Sequence, residues 1–125
     1  ELEPYAPDSG RVAMRGPDLD LPSRLAVVIG MAFHELATNA AKYGALSSPP
    51  GRVEIEWRRE EKEIGQLLTI DWRESDGPPV RKPRRLGFGS RLIRQTITAE
   101  LAGSLELDFA PTGVCCRMAI PLGTL

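Results

Sequence analysis

The chain is poor in the residues that build metal centres and disulfide frameworks. Its 125 residues include one histidine and two cysteines, and the cysteines are neighbours, Cys115 and Cys116. Neighbouring side chains on a strand point to opposite faces, so a disulfide between them needs strained geometry. A single histidine cannot supply a zinc cluster. The sequence therefore predicts free thiols, no zinc-type centre and a reducing, cytoplasmic compartment.

Long apolar runs and an excess of one charge are also missing. The longest uncharged apolar stretch, residues 25–33, is too short to span a bilayer and leads directly into His34 and Glu35. The net charge of −1 gives no general attraction to nucleic acid or to an anionic membrane, so we expect neither contact. Because the sequence begins at Glu1 and not at Met, we expect residues 1–125 to be a single domain cut from a longer protein.

Hydrophobic periodicity divides the chain into strands and helices. The predicted strands cover residues 11–14, 52–58, 66–74, 104–109 and 113–122. The second and third strands form a hairpin through EEKEIG, and the last two form a hairpin through APTG. A second helix follows GFGS, residues 87–90, and ends at Gly103. The order strand, helix, hairpin, loop, helix, hairpin favours an α/β (α+β) two-layer sandwich: a mixed, largely antiparallel sheet with helices on one face.

The first helix starts at DLPS, where Asp20 or Ser23 is the candidate N-cap and Pro22 is tolerated in the first turn. It ends near Tyr43, and Gly44 is a natural residue for the C′ position.

This helix carries two stripes of side chains. At about 100° per residue, Glu35, Thr38, Asn39 and Lys42 share one polar arc. The apolar arc beside it contains Leu25, Ile29, Ala32, Phe33, Leu36 and Ala40. Two interpretations of the polar arc stay open. It is a solvated face with a contact between Glu35 and Asn39, or it binds a Mg–nucleotide. In the second case the Asn39 amide ligates Mg²⁺, Glu35 orients or deprotonates a group, and Lys42 contacts a phosphate.

Two loops add acids and glycines. In WRESDGPP, Glu74 and Asp76 can accept a hydrogen bond from an amino group such as that of adenine, and Gly77 lets a base approach the backbone. The alternative is an ordinary Asp-Gly-Pro turn. In GFGS, Gly87 and Gly89 precede a helix, so its N–H groups can meet an anion, although a flexible helix entry is the commoner meaning.

The order of these motifs resembles the N, G1 and G2 boxes of the GHKL ATPase superfamily, which has the Bergerat fold. In particular, the chain resembles the catalytic domain of HWE-type histidine kinases. The histidine of that name matches His34 in HELATNAAKYGALS, and its Trp-x-Glu matches Trp72 and Glu74 in WRE. The resemblance covers nearly the whole chain, and the first motif is long and specific.

The resemblance implies ATP and Mg²⁺ as cofactors. Asn39 would ligate a Mg²⁺ that bridges the phosphates, Glu35 would be the catalytic or water-orienting carboxylate, and Lys42 would contact phosphate. Glu74 or Asp76 would read the adenine amino group, because Asp76 stands where this box has glycine in other members. The other implied ATP-binding residues are His34, Thr38, Tyr43, Gly77, Gly87, Phe88 and Gly89. Residues 79–86 would form a short ATP lid.

The resemblance also implies partners. A kinase of this type phosphorylates a histidine on a separate dimerisation domain and then serves a response regulator. Since the only histidine here, His34, belongs to the N box, we expect ATP binding with little or no phosphotransfer by this domain alone. One alternative is an anti-sigma-type serine kinase, against which His34 and Trp72 argue. The other is a non-catalytic phosphotransfer or docking module, against which Glu35, Asn39 and Lys42 argue.

Overall fold

Each strand and helix that the periodicity predicts is present in the structure, a computed structural model that describes residues 11–63, 65–80 and 88–123. The strands are β1 (Val12–Arg15), β2 (Arg52–Lys62), β3 (Gly65–Ser75), β4 (Ser104–Ala110) and β5 (Gly113–Gly123). The helices are α1 (Ser23–Lys42) and α2 (Phe88–Gln95). A 3-10 turn over Ala45–Ser47 follows α1, and a π-helical turn over Thr96–Glu100 follows α2.

The strands form one mixed sheet in the order β1-β2-β3-β5-β4. Only the β1–β2 pair is parallel among the described strands, and the other three pairs are antiparallel. In the register, Ile55 lies opposite Trp72, which in turn lies opposite Cys116. The predicted fold class, a largely antiparallel sheet in a two-layer α+β sandwich, is confirmed.

The core lies between the helices and one face of the sheet. Alternation along the strands sends every second side chain to this face, as it does for Val53 and Ile55, which are 0% and 1% exposed. The buried residues of α1 are Val28, Ile29, Ala32, Phe33, Ala37 and Ala40. Four of these belong to the predicted apolar arc, and its other two members, Leu25 and Leu36, are partly buried against the core. The rings of Phe33 and Trp72 stack with their centroids 6.2 Å apart.

The opposite face of the sheet is polar. Asp71 on β3 is buried, and its Oδ1 accepts a hydrogen bond of 2.8 Å from Arg117 Nε on β5. Cys115 is exposed whereas its neighbour Cys116 is buried, and both are free thiols. The prediction that the two cysteines point to opposite faces is confirmed.

The start of α1 differs from the prediction. Neither Asp20 nor Ser23 caps the helix: the N-cap is Pro22, with φ −54° and ψ 145° and no side-chain cap hydrogen bond. Its carbonyl accepts the first helical bond, from Ala26 N at 3.0 Å. Because its ring already holds φ near the helical value, proline sets the direction of entry where a polar cap was expected.

The second helix also differs from the prediction, which had a single helix ending at Gly103. It begins inside GFGS, at Phe88, and widens after Gln95 into a π-helical turn in which Leu101 N donates to Thr96 O at 3.1 Å. Ile97 in this turn is fully buried. Across the described ranges, neither helix is long and apolar enough to cross a membrane.

The packing of α1 predicts a large difference between two of its β-branched residues. Ile29 is 7% exposed and Val27 is 61% exposed. We expect Ile29→Ala to lower the free energy of unfolding by about 2–5 kcal/mol, and Val27→Ala to change it by about 0.5 kcal/mol or less. The two changes have similar effects on helix propensity, so the difference measures burial. Urea unfolding followed by circular dichroism provides the values, and equal losses would contradict the assigned helix face.

The buried thiol on β5 predicts a loss of stability at alkaline pH. Burial raises the pKa of Cys116 from 9.0 to about 12, against a smaller opposing effect of Arg94. Since the folded pKa lies above the unfolded one, the stabilisation is complete below pH 9 and is lost as the pH rises toward 12. From about pH 8 to about pH 10.5, this group should remove about 2 kcal/mol of stability.

The control for this prediction is a pair of variants. Cys116→Ala should lack this part of the alkaline loss, whereas Cys115→Ala should keep it. The same pH slope in both variants would mean that Cys116 titrates normally in the folded protein. Unfolding in urea at a series of pH values measures both slopes.

Candidate functional site

The carboxylate of Glu35 joins the two helices. Its Oε2 accepts hydrogen bonds from Asn39 Nδ2 at 3.4 Å and from Ser90 Oγ at 3.3 Å. Gly89 packs against the same group, since a Cβ at Gly89 would collide with Glu35 Oε1. The structure therefore brings together three predicted site residues, Glu35, Asn39 and Gly89. We call this arrangement the Glu35 junction.

Ser90 is the member of the Glu35 junction that the sequence analysis missed. A signal was present, because Ser90 follows the second glycine of GFGS directly at the start of a helix. Its partner, however, lies 55 residues away in the chain. Of the neighbouring predicted residues, Gly87 lies outside the described residues, and Phe88 is the first residue of α2.

Thr38 and Lys42 complete the predicted polar arc of α1, and Tyr43 follows the helix as its C-cap. Thr38 and Asn39 are half-buried, while Lys42 and Tyr43 are exposed at the end of the helix. Lys42 stands in the last turn, where the helix dipole favours a cation. Since Asn39 donates through Nδ2, its amide oxygen is the end of the side chain that can ligate a cation. The stripe thus offers a carboxylate, an amide oxygen and an amine.

His34 faces the gap between the helices. It lines a cleft of about 410 Å³ together with Met31, Glu35, Gly89 and Leu92. Glu35 also lines a smaller cavity of about 30 Å³ between the helices and the sheet. The place of His34 in the lining of the larger cleft, beside Gly89 and Leu92, puts it on the α2 side of α1.

A metal in this site would have few protein ligands. Within residues 11–63, 65–80 and 88–123, no group of three His, Cys, Asp or Glu side chains is placed to hold a metal ion. Mg²⁺ in nucleotide sites usually takes one or two protein oxygens and completes its shell with phosphates and waters. The Asn39 amide oxygen beside the Glu35 carboxylate fits that kind of binding.

A second cluster surrounds Glu74 at the end of β3. Glu74 is 6% exposed. Its Oε1 accepts a hydrogen bond of 3.0 Å from Ala45 N, and its Oε2 accepts one of 2.9 Å from Trp72 Nε1. Trp72 itself is 1% exposed in the core. The Trp-x-Glu motif therefore ties β3 to the residue that begins the 3-10 turn after α1. We call these three residues the Glu74 clamp.

Glycines make room for the Glu74 clamp. A Cβ at Gly44 would collide with Glu74 Oε1, and one at Gly77 would lie 2.5 Å from Ala45 Cα. Gly44 occupies the predicted C′ position of α1, but its φ of −107° is not left-handed. Gly44 is therefore needed for space and not for backbone freedom. Gly113 is needed for both, since its φ is +156° and a Cβ there would meet the Glu74 carbonyl.

Arg11 holds the same turn from the other side. Its Nε donates to Gly51 O at 2.8 Å, and its Nη2 donates to Ala45 O and Ser48 O, both at 3.1 Å. The sequence analysis missed Arg11, because nothing in the local pattern links an arginine before β1 to a turn after α1.

Asp76, the other candidate acid of this loop, is exposed. It follows β3 directly and has a left-handed backbone, with φ +60°. Aspartate is one of the few non-glycine residues that adopt this conformation readily. Glu74 is thus buried, whereas Asp76 is exposed to solvent.

Comparison with known proteins gives the chain clear relatives, although no protein-family model matches it. It is 39% identical over 114 residues to a blue-light-activated histidine kinase of Brucella ovis, which covers 91% of this chain and 23% of the relative. It is 37% identical over 122 residues to a protein of the same name from Brucella anthropi, covering 97% of this chain and 25% of the relative. The chain therefore spans about a quarter of these relatives.

Solved structures place the fold in the same class. The blue-light activated histidine kinase EL346 of Erythrobacter litoralis superposes with a TM-score of 0.67 at 24% identity, over 90% of this chain and 35% of that one. The catalytic domain of the histidine kinase ThkA superposes with a TM-score of 0.64 at 18% identity, over 91% of this chain and 80% of that one.

The fold is thus that of histidine kinase catalytic domains. The sequence relatives show the family as well as the fold. The chain belongs to the histidine kinases, and the family predicted from its N, G1 and G2 motifs is confirmed.

Substitutions at two helical glycines separate the effect of close packing at the Glu35 junction from the effect of helix propensity. A Cβ at Gly30 meets nothing within 4 Å, so Gly30→Ala should raise the free energy of unfolding by about 0.5–1 kcal/mol. Gly89→Ala should instead displace the flexible end of Glu35 and break its hydrogen bonds to Asn39 and Ser90. The side-chain amide signal of Asn39 in an ¹⁵N NMR spectrum should shift in Gly89→Ala and stay in place in Gly30→Ala. An unmoved signal in both variants would contradict the contact.

Proposed function

We propose that this domain binds Mg–ATP and positions the γ-phosphate for transfer to a histidine on a separate dimerisation and phosphoacceptor domain of the same kinase. The observation that supports this most directly is the Glu35 junction, where the polar stripe of α1 meets the start of α2. In phosphoryl transfer the protein does little covalent chemistry, because positioning and charge neutralisation supply most of the catalysis. An acid, an amide, an amine and helix-end N–H groups suit that task.

Asn39 would hold Mg²⁺ through its amide oxygen. The hydrogen bond from Asn39 Nδ2 to Glu35 supports this role, because it fixes the orientation of the amide and leaves Oδ1 for the cation. When bound, Mg²⁺ neutralises negative charge on the phosphate oxygens. Glu35 would orient the attacking group beside it, with its own position fixed by Asn39 and Ser90.

The phosphates would lie between the end of α1 and the start of α2. Lys42 is exposed in the last turn of α1 and would contact phosphate as a point charge. The first N–H groups of α2 have no partners within the helix and favour an anion, with Gly87, Phe88 and Gly89 as the predicted contacts. Thr38, Tyr43 and His34 complete the predicted set, and Gly77 with Glu74 or Asp76 would face the adenine.

The proposed partner domain is the one that carries the histidine that accepts the phosphoryl group. The only histidine of the chain, His34, lies on α1 within the site itself, so the phosphorylated histidine would come from another domain. The relatives are about four times as long as the matched segment, which is consistent with further domains. We further propose a response regulator as the downstream partner, a cytoplasmic location, and little phosphotransfer by this domain alone.

Asn39→Ala tests the Mg–ATP site. Loss of one ligand to a charged centre costs about 1.5–3 kcal/mol, so the affinity for ATP in the presence of Mg²⁺ should fall by about 10- to 100-fold. The affinity without Mg²⁺ should change little. Isothermal titration calorimetry, with and without EDTA, measures both.

The matched control is Gln95→Ala, which removes an exposed amide from the far end of α2 and should bind as wild type does. Absence of ATP binding by the wild-type domain at millimolar nucleotide would overturn the proposed function. Asn39→Ala binding with an unchanged Mg²⁺ dependence would overturn the role of Asn39.

A further inference from the structure

Arg11 holds the turn after α1 through three backbone carbonyl groups. Its Nε donates to Gly51 O at 2.8 Å, and its Nη2 donates to Ala45 O and to Ser48 O, both at 3.1 Å. The side chain is half-buried. One guanidinium therefore joins both ends and the middle of residues 45–51, which we call the α1 turn.

The path of the α1 turn brings these carbonyl groups together. Gly51 packs directly against Ala45 O, and a Cβ at Gly51 would collide with that oxygen. Carbonyl oxygens that converge away from bulk water need a donor between them. A guanidinium presents several N–H groups in one rigid plane, whereas the ammonium of lysine is a point charge on a flexible stem. An arginine at position 11 can thus hold all three carbonyl groups at once, and a lysine cannot.

The α1 turn also contacts the loop WRESDGPP. Ala45 is 3% exposed, and a Cβ at Gly77 would lie 2.5 Å from Ala45 Cα. Ala45 therefore has Arg11 at its carbonyl oxygen and Gly77 at its Cα. In the chain it follows Lys42 by three residues and Tyr43 by two. The end of α1 and the loop WRESDGPP, both predicted to contact nucleotide, thus meet at a residue that Arg11 holds.

We propose that Arg11 is a positioning residue of the nucleotide site. By holding the α1 turn, it sets the position of Lys42 and Tyr43 relative to Gly77, and thereby the affinity for ATP. This inference rests on the proposed function. Because Arg11 acts through the backbone of Ala45, its contribution depends on the planar geometry of the guanidinium as well as on its charge.

The first test needs no nucleotide and compares two substitutions that keep the positive charge, Arg11→Lys and Arg15→Lys. Arg15 lies on β1, and its side chain is 74% exposed. In ¹H–¹⁵N NMR spectra, Arg11→Lys should shift the backbone amide signals of Ala45 and Gly77, whereas Arg15→Lys should leave them in place. The Ile70 amide, in the centre of β3, should not move in either variant. Unmoved Ala45 and Gly77 signals in Arg11→Lys would overturn the proposal.

The second test measures the Kd for Mg–ATP by isothermal titration calorimetry, at a temperature at which every variant is folded. Arg11→Ala should weaken binding by about tenfold, because ordering the α1 turn then costs part of the binding free energy. A role of Arg11 in stability alone would lower the melting temperature and leave the Kd unchanged to within about twofold. That result would contradict a role in positioning the site.

Two further variants separate geometry from charge. If Arg11 only attracted ATP as a distant positive charge, Arg11→Lys would bind ATP as wild type does, and Arg15→Ala would weaken binding as much as Arg11→Ala. If Arg11 positions the α1 turn, Arg11→Lys should weaken binding by about threefold or more, and Arg15→Ala should match wild type. Full recovery of the affinity in Arg11→Lys would overturn the proposal.

The outcomes distinguish this inference from the proposed function. If Arg11→Ala does not fold, the Kd is measured on Arg11→Lys, which keeps the charge. Absence of ATP binding by wild type would remove the proposed function and with it the role of Arg11 in binding, and the amide signals would still show whether Arg11 holds Gly77 in place. Wild-type ATP binding that neither Arg11 variant changes would overturn the inference alone and leave the proposed function standing.

Discussion

The hydrogen bonds of one buried carboxylate, Glu74, organise the candidate site. They join a strand residue, Trp72, to the backbone of Ala45 just after α1, and both bonds lie in the interior where no water competes. An α-helix is stiff, so fixing its end and its Phe33 contact fixes the backbone that carries the side chains between them. Apolar contacts between α1 and the sheet are not directional, so the hydrogen bonds that Ala45 makes with Glu74 and Arg11 set the position of the end of α1.

A second carboxylate, Glu35, links α1 to α2, as Glu74 links the end of α1 to β3. It collects a hydrogen bond from its own helix and one from α2, and the Cβ-free surface of Gly89 allows the close approach. The two junctions lie on one helix, so α1 carries the alignment from one loop to the other. The positions of α1, the end of β3 and the start of α2 relative to one another therefore depend on few contacts, and the hydrogen bonds among them are directional.

Local patterns predicted much of this molecule. Period-two alternation found the strands and their faces, helical periodicity found α1 and most of its buried arc, and the order of motifs found the family. What the sequence left open depends on distant contacts: Ala45 lies 29 residues from Glu74, Ser90 lies 55 residues from Glu35, and Arg11 lies 34 residues from Ala45. A pattern along the chain carries no information about such pairs. Pro22 as N-cap was missed because a polar cap was expected where the proline ring itself holds φ at the helix entry. The π-helical turn was missed because helical periodicity does not show where a single turn widens.

The same reasoning changes the meaning of the signature residues. The predicted Trp-x-Glu motif, Trp72 and Glu74, suggested contact with a ligand. Here their polar atoms satisfy one another and a backbone N–H, and the nearby glycines Gly44 and Gly77 are required by the space these atoms occupy. Replacing any one of the four would leave a buried donor or acceptor unpaired, or would force two backbones apart. The Glu74 clamp is therefore one of three polar anchors that hold α1, beside the Arg11 bond to the same turn and the Glu35 bond to α2.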